Sequence, residues 1–142
     1  PNMLFSILIF TSCTSSLTGN WRGDCVFSDL ATNENLSVFA QIDRDSNHLI
    51  RGTLQLTDWN DKKYTSNLSG DHSGKYVYMD GEISDFSQVV SEENTTPNTF
   101  LFFIESQRIG RLLEGTCGLQ STNSNTENVS SGTLLGNIYL EK

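Results

Sequence analysis

The sequence predicts an all-β domain, an antiparallel up-and-down barrel of about eight strands, and three observations lead there. From Leu17 onward apolar and polar residues alternate instead of recurring every three or four positions, which is the period of a strand with one buried face. Helix formers are scarce: alanine occurs only at Ala31 and Ala40 and charged residues are 18% of the chain, while Ser, Thr, Asn and Gly are abundant. The alternating runs follow one another through mostly short polar connections. A meander of that number closes readily, because closure removes the unpaired edges of an open sheet. A two-sheet sandwich is the structural alternative. At 142 residues the chain suits one domain with a real core.

The elements follow in order. The run "LTGNWRGDCVF" places Leu17, Gly19, Trp21, Gly23, Cys25 and Phe27 on one face, and "LSVFAQID" does the same for Leu36, Val38, Ala40 and Ile42. After the polar turn "RDSNH", "LIRGTLQLT" turns Ile50, Leu54 and Leu56 inward, so these two runs read as a hairpin. "KYTSNLSG" and "KYVYMDGEIS" flank "DHSG" as a second hairpin, with Tyr64 and Leu68 facing Val77, Met79 and Ile83 in the interior. "TFLFFIES", "RLLEGTCGLQ" and "GTLLGNIYLE" complete the set, the last two separated by the low-complexity loop "STNSNTENVSS". Only "SDFSQVVSEE" offers room for a helical turn.

The opening stretch "MLFSILIFTSC", Met3 to Cys13, is unlike the rest. It is about half the ~20 apolar residues of a membrane-spanning helix, and it matches the apolar core of a secretory signal. Its end, "FTSC", resembles the lipobox of bacterial lipoproteins, with Phe10 where Leu is commonest and no Lys or Arg ahead of the apolar run. Pro1 and Asn2 before Met3 point to an incomplete upstream end. The resemblance implies lipidation of Cys13, a signal and tether over residues 1–16, and one barrel domain over 17–142. It also implies a place in the cell envelope, lipid-anchored on the periplasmic or outer-membrane face. An ordinary cleaved signal with secretion, or a first strand, is the alternative. With Cys13 lipidated, Cys25 and Cys117 remain as an even pair for a disulfide, against the alternative of two buried free thiols. In a plain meander the final strand would separate them by roughly 9–10 Å, longer than the ~4.4–6.8 Å between α-carbons that a disulfide spans. Either the thiols are free or the topology departs from a meander.

"SLTGNW", "GTLQLTD" and "LEGTCGL" resemble strand motifs of calycin barrels, the avidins and lipocalins. The resemblance implies architecture, with Trp21 plugging one end. Biotin recognition is not implied: Gly23 and Phe27 hold the first-strand polar positions, Leu54 stands in place of a tyrosine, and Trp21 and Trp59 are the two tryptophans of the chain.

The chemistry is sparse. A net charge of -8 repels phosphate backbones, no run of Lys or Arg offers a local exception, and nucleic acid is not an expected partner. His48 and His72 fall beside Asn47 and Asp71, residues that favour hydrogen-bonded turns, and no zinc, nucleophile-elbow or phosphate-loop pattern is present. "DRDSN" opens like a calcium loop but has His48 and Leu54 where Gly and Glu are needed. "DWND" reads as a turn before it reads as a cation site. Asp80, Glu82 and Glu114 alternate outward and keep the barrel soluble. Four Asn-x-Ser/Thr sequons, at Asn35, Asn67, Asn94 and Asn128, are close to chance for this composition.

The expected function is therefore a non-enzymatic, membrane-tethered binding or interaction module without cofactor or metal. It presents either an apolar pocket near Trp59 or an outer patch of Leu101, Phe103 and Leu112 to a protein partner. The alternative is a carrier of a small hydrophobic ligand in a lumen lined by Tyr64, Met79 and Phe102, with Trp59 at its mouth as a further ligand contact; a hydrolase ranks behind both.

Overall fold

A computed structural model describes residues 16–28, 34–86, 98–122 and 133–142. Eight strands run through them: β1 Gly19–Phe27, β2 Asn35–Ser46, β3 Leu49–Thr57, β4 Lys63–Ser73, β5 Tyr76–Phe86, β6 Asn98–Ile109, β7 Leu112–Ser121 and β8 Thr133–Glu141. Each pairs antiparallel with the next and β8 returns to β1, so the sheet is a closed up-and-down barrel and not a sandwich. No helix occurs among the described residues. In the stretch considered for a helical turn, Ser84–Phe86 continue β5, and its remaining residues lie outside the described ones.

The alternation explains the barrel residue by residue. Side chains of one parity on every strand meet in a single core containing Trp21, Ile42, Leu54, Leu68, Met79, Phe102, Ile104 and Leu140, while the other parity meets water. Burying each such side chain contributes about 1.5–3 kcal/mol. Strands β2, β4 and β6 run further than the alternation indicated, to Ser46, Ser73 and Ile109. Their last residues, polar except for the exposed Ile109, rise past the core to form a rim.

Three tight turns close that rim. Ser46 pairs with Leu49 across Asn47 and His48, both at positive φ (54° and 66°), the twist a two-residue hairpin prefers. Ser73 pairs with Tyr76 across Gly74 and Lys75, and Ile109 with Leu112 across Gly110 and Arg111. The glycines there have φ of 60° and 61°, a region costly for other residues.

The cysteine pair is bonded as the even count allowed, and what is corrected is the choice between free thiols and a departure from a meander. The topology is a plain meander, and Cys25 and Cys117 are nevertheless joined, with α-carbons 6.2 Å apart. Gly136 is the reason. It pairs with Cys117 on one side and Phe27 on the other, and a Cβ built on it would lie 2.4 Å from the Val26 carbonyl oxygen. The sheet coils so sharply at this side-chain-free point that β1 and β7 approach each other across the inner surface of β8. A flat-ladder spacing overestimates the gap.

Candidate functional site

The two ends of the barrel are built differently. At the rim where the chain enters, Trp21 is fully buried and its indole Nε1–H donates to the Leu17 carbonyl at 2.8 Å. The Arg108 guanidinium and the Lys142 ammonium each lie 5.7 Å from its ring centre, a favourable placement for cations over an indole face. The turns are stitched to their neighbours in sequence around the mouth. His72 N–H donates to the His48 carbonyl (3.0 Å), Arg108 N–H to that of Lys75 (2.7 Å), and Lys142 N–H to that of Arg111 (2.9 Å). The Lys142 ammonium donates to the Ser16 carbonyl (3.0 Å), and Leu17 N–H donates to Asp45 Oδ2 (2.9 Å). Asp45 also meets His72 Nε2 at 2.6 Å. Burial raises the pKa of Asp45, but the hydrogen bonds from Leu17, His72 and Ser16, with the charge of His72, outweigh it and hold the carboxyl below its ordinary value. Burial, reinforced by repulsion from Arg108 and Arg111, lowers the pKa of Lys142.

His48 is the exposed turn histidine expected, and His72 alone departs from that reading. His72 belongs to β4, and the two rings meet edge to face with centres 5.5 Å apart. Lys75, Arg108, Arg111 and Lys142, scattered in the sequence, come to this one rim, where Asp45, Asp71 and Glu141 also stand. Sequence reasoning missed both groupings because each joins different hairpins.

At the opposite end Trp59 is a lid. It lies edge-on to Phe27 (6.2 Å) and Phe86 (6.3 Å), and Phe86 continues the stack to Tyr64 (5.2 Å) and Phe100 (5.5 Å). Asp58 sets the lid. It is 3% exposed and accepts from Asn60 N–H, Lys62 N–H and the Tyr64 hydroxyl at 2.9, 3.0 and 2.8 Å. This is the turn reading of "DWND", and among the described residues no cluster of metal-binding side chains occurs. The signal available in the sequence was an aspartate two residues before an asparagine, the pattern of a side chain closing its own turn.

Of the residues proposed to line a lumen, Met79 and Phe102 are fully buried, Tyr64 is 5% exposed, and Trp59 packs against the same core. They are brought together as packing. The proposed patch is not assembled. Phe103 stands opposite Gly118 and Leu101 opposite Gln120, whereas Leu112 stands opposite Ile109, six residues before Gly118 at the start of β7. Phe103 lies over Gly118, its ring filling the place a side chain would take. Cys13 lies outside the described residues.

Clefts are found on the outer wall and at the Trp21 rim, and Trp59, Tyr64, Met79 and Phe102 line none of them. One of about 480 Å³ runs over β4 to β7 past Tyr76, Tyr78, Glu105, Gln107 and Glu114. A second of about 700 Å³ continues from Glu114 and Thr116 to Asn137, Tyr139, Asp24 and Val26. The register makes one row of them: Tyr76, Gln107, Glu114, Tyr139 and Asp24 are successive cross-strand neighbours. Tyr76 and Tyr139, about half exposed, stand three strands apart, roughly 14 Å from the strand spacing. Within this face the Tyr78 hydroxyl donates to Asp80 at 2.9 Å. Its pKa is pushed up to about 12 by burial, by that bond, and by the charges of Asp80, Glu105 and Asp71. Comparison of the chain with protein-family models, curated proteins and solved structures finds no match.

Proposed function

We propose that this chain is a non-enzymatic interaction module: a calycin-like barrel held at the cell envelope by a lipid on Cys13, engaging a protein partner through its outer wall. The observation that carries the reading is the filled interior. Trp21, Met79 and Phe102, the side chains that would have to stand aside for a ligand, are fully buried against one another's neighbours, and both ends are capped by tryptophan. The long trough from Tyr76 to Asp24 offers aromatic faces, an amide and carboxylates in one row, a surface suited to a polypeptide carrying Lys or Arg. Asp58, the buried carboxylate among the described residues, and the half-buried Asp45 are committed to structural hydrogen bonds. That supports binding over catalysis.

Native mass spectrometry of the purified full chain tests the reading. The expected spectrum has no retained small molecule, and Tyr76→Ser with Tyr139→Ser abolishes co-purification of the partner without changing the thermal midpoint. A stoichiometric lipophilic ligand would establish the carrier instead. Turnover of ester or glycoside substrates would establish an enzyme.

A further inference from the structure

We infer that the Trp21 rim is a membrane-contact face that seats the barrel upright on an anionic phospholipid surface; this rests on the reading that Cys13 carries the lipid. Three independent features converge on the rim. The first is where the chain leaves: Ser16 and Leu17 are pinned there by Lys142 and Asp45, and Cys13 is three residues upstream. Three residues reach at most about 10 Å, comparable to the ~8 Å over which charges act at physiological salt. An acyl chain on Cys13 would therefore hold this end of the barrel near the headgroups.

The second is charge. Four of the nine Lys and Arg residues of a chain with net charge -8 sit on this rim: Lys75, Arg108, Arg111 and Lys142. The cleft among them, about 710 Å³, is lined by Lys75, Arg108, His48 and His72 and by a single carboxylate, Asp45, which is already bonded to Leu17 and His72. Burial first, and then repulsion from Arg108 and Arg111, lowers the pKa of Lys142. The third is apolar exposure. Leu49 and Ile109, which close two of the turns, are 51% and 57% exposed, and they flank the same mouth. Apolar tips beside Lys and Arg are the composition that settles at the boundary between headgroups and acyl chains.

The test uses the full acylated chain on phosphatidylcholine vesicles with or without phosphatidylglycerol, read by amide hydrogen exchange. The turns at 73–76 and 109–112 are expected to exchange about fivefold more slowly, or slower still, on the anionic vesicles. The protection is lost in Lys75→Gln/Arg111→Gln and reduced in Leu49→Ser/Ile109→Ser, while interior amides of β3 and β7 stay unchanged. If the charge variant disturbs those interior amides, the exposed-residue variant carries the test. Equal exchange on both vesicle types, or full protection retained by the variants, overturns the inference. So does protection that grows with protein density on either vesicle, which reports a second copy. Protein from the cell envelope with no acyl mass at Cys13 overturns the anchor and this inference with it; an acylated protein with unprotected turns overturns the membrane-contact face alone.

Discussion

Asp58 and Asp45 show how single carboxylates organise the two ends. Asp58 gathers two backbone amides and a phenol, and through them fixes Trp59 over the core. Asp58→Ala should lower stability by about 2–4 kcal/mol in urea denaturation, because three bonds to a buried charged acceptor disappear together. Asp45 is a titration experiment waiting to be read. Its folded pKa is depressed, so its stabilisation is complete above the unfolded aspartate value and is lost as pH falls through the folded one. The Leu17 amide resonance should therefore titrate with a midpoint below the ordinary aspartate range, and in Asp45→Asn it should not titrate there. Tyr78 gives the alkaline counterpart: its hydroxyl should ionise near pH 12 in an absorbance titration. None of these roles was legible one residue at a time. The sequence marks Asp45 as part of a failed calcium loop, and its true partners, Leu17 and His72, stand 28 and 27 positions away.

At the scale of the strand, alternation settled which way side chains point but not how far along its neighbour each strand reaches. Leu101, Phe103 and Leu112 were correctly assigned to the outer parity. Only the ladder shows that Leu112 belongs to the rim and Phe103 to the middle of the wall. The disulfide distance failed for a related reason, since coiling is a property of several strands at once. Gly136 tests this. Gly136→Ala would place a methyl against the Val26 carbonyl and the Phe27 backbone, and should cost about 2–3 kcal/mol by forcing β1 and β8 apart. Gly110→Ala, at φ 61° with open space around it, should cost only about 1 kcal/mol, the backbone strain alone. Comparing the two midpoints in denaturant separates crowding from conformation.

The whole molecule combines a closed sheet with a bond that bridges residues 92 apart. In chain-entropy terms such a loop is worth up to about 4–5 kcal/mol. Reduction, or the double change Cys25→Ala/Cys117→Ala, should lower the thermal midpoint by on the order of 10 °C. The fold class was legible because a period of two over most of the chain leaves few other ways to hide so many apolar residues. The distribution of charge was not, because it depends on which hairpins meet. The two mouths also differ in a way with practical weight. At the Trp21 mouth every hairpin turns in two residues, whereas the strands at the Trp59 mouth are joined through 28–34, 58–62, 87–97 and 122–132. Foreign epitopes spliced into the longer connections would all emerge from one end of the barrel, which makes it a one-sided display platform.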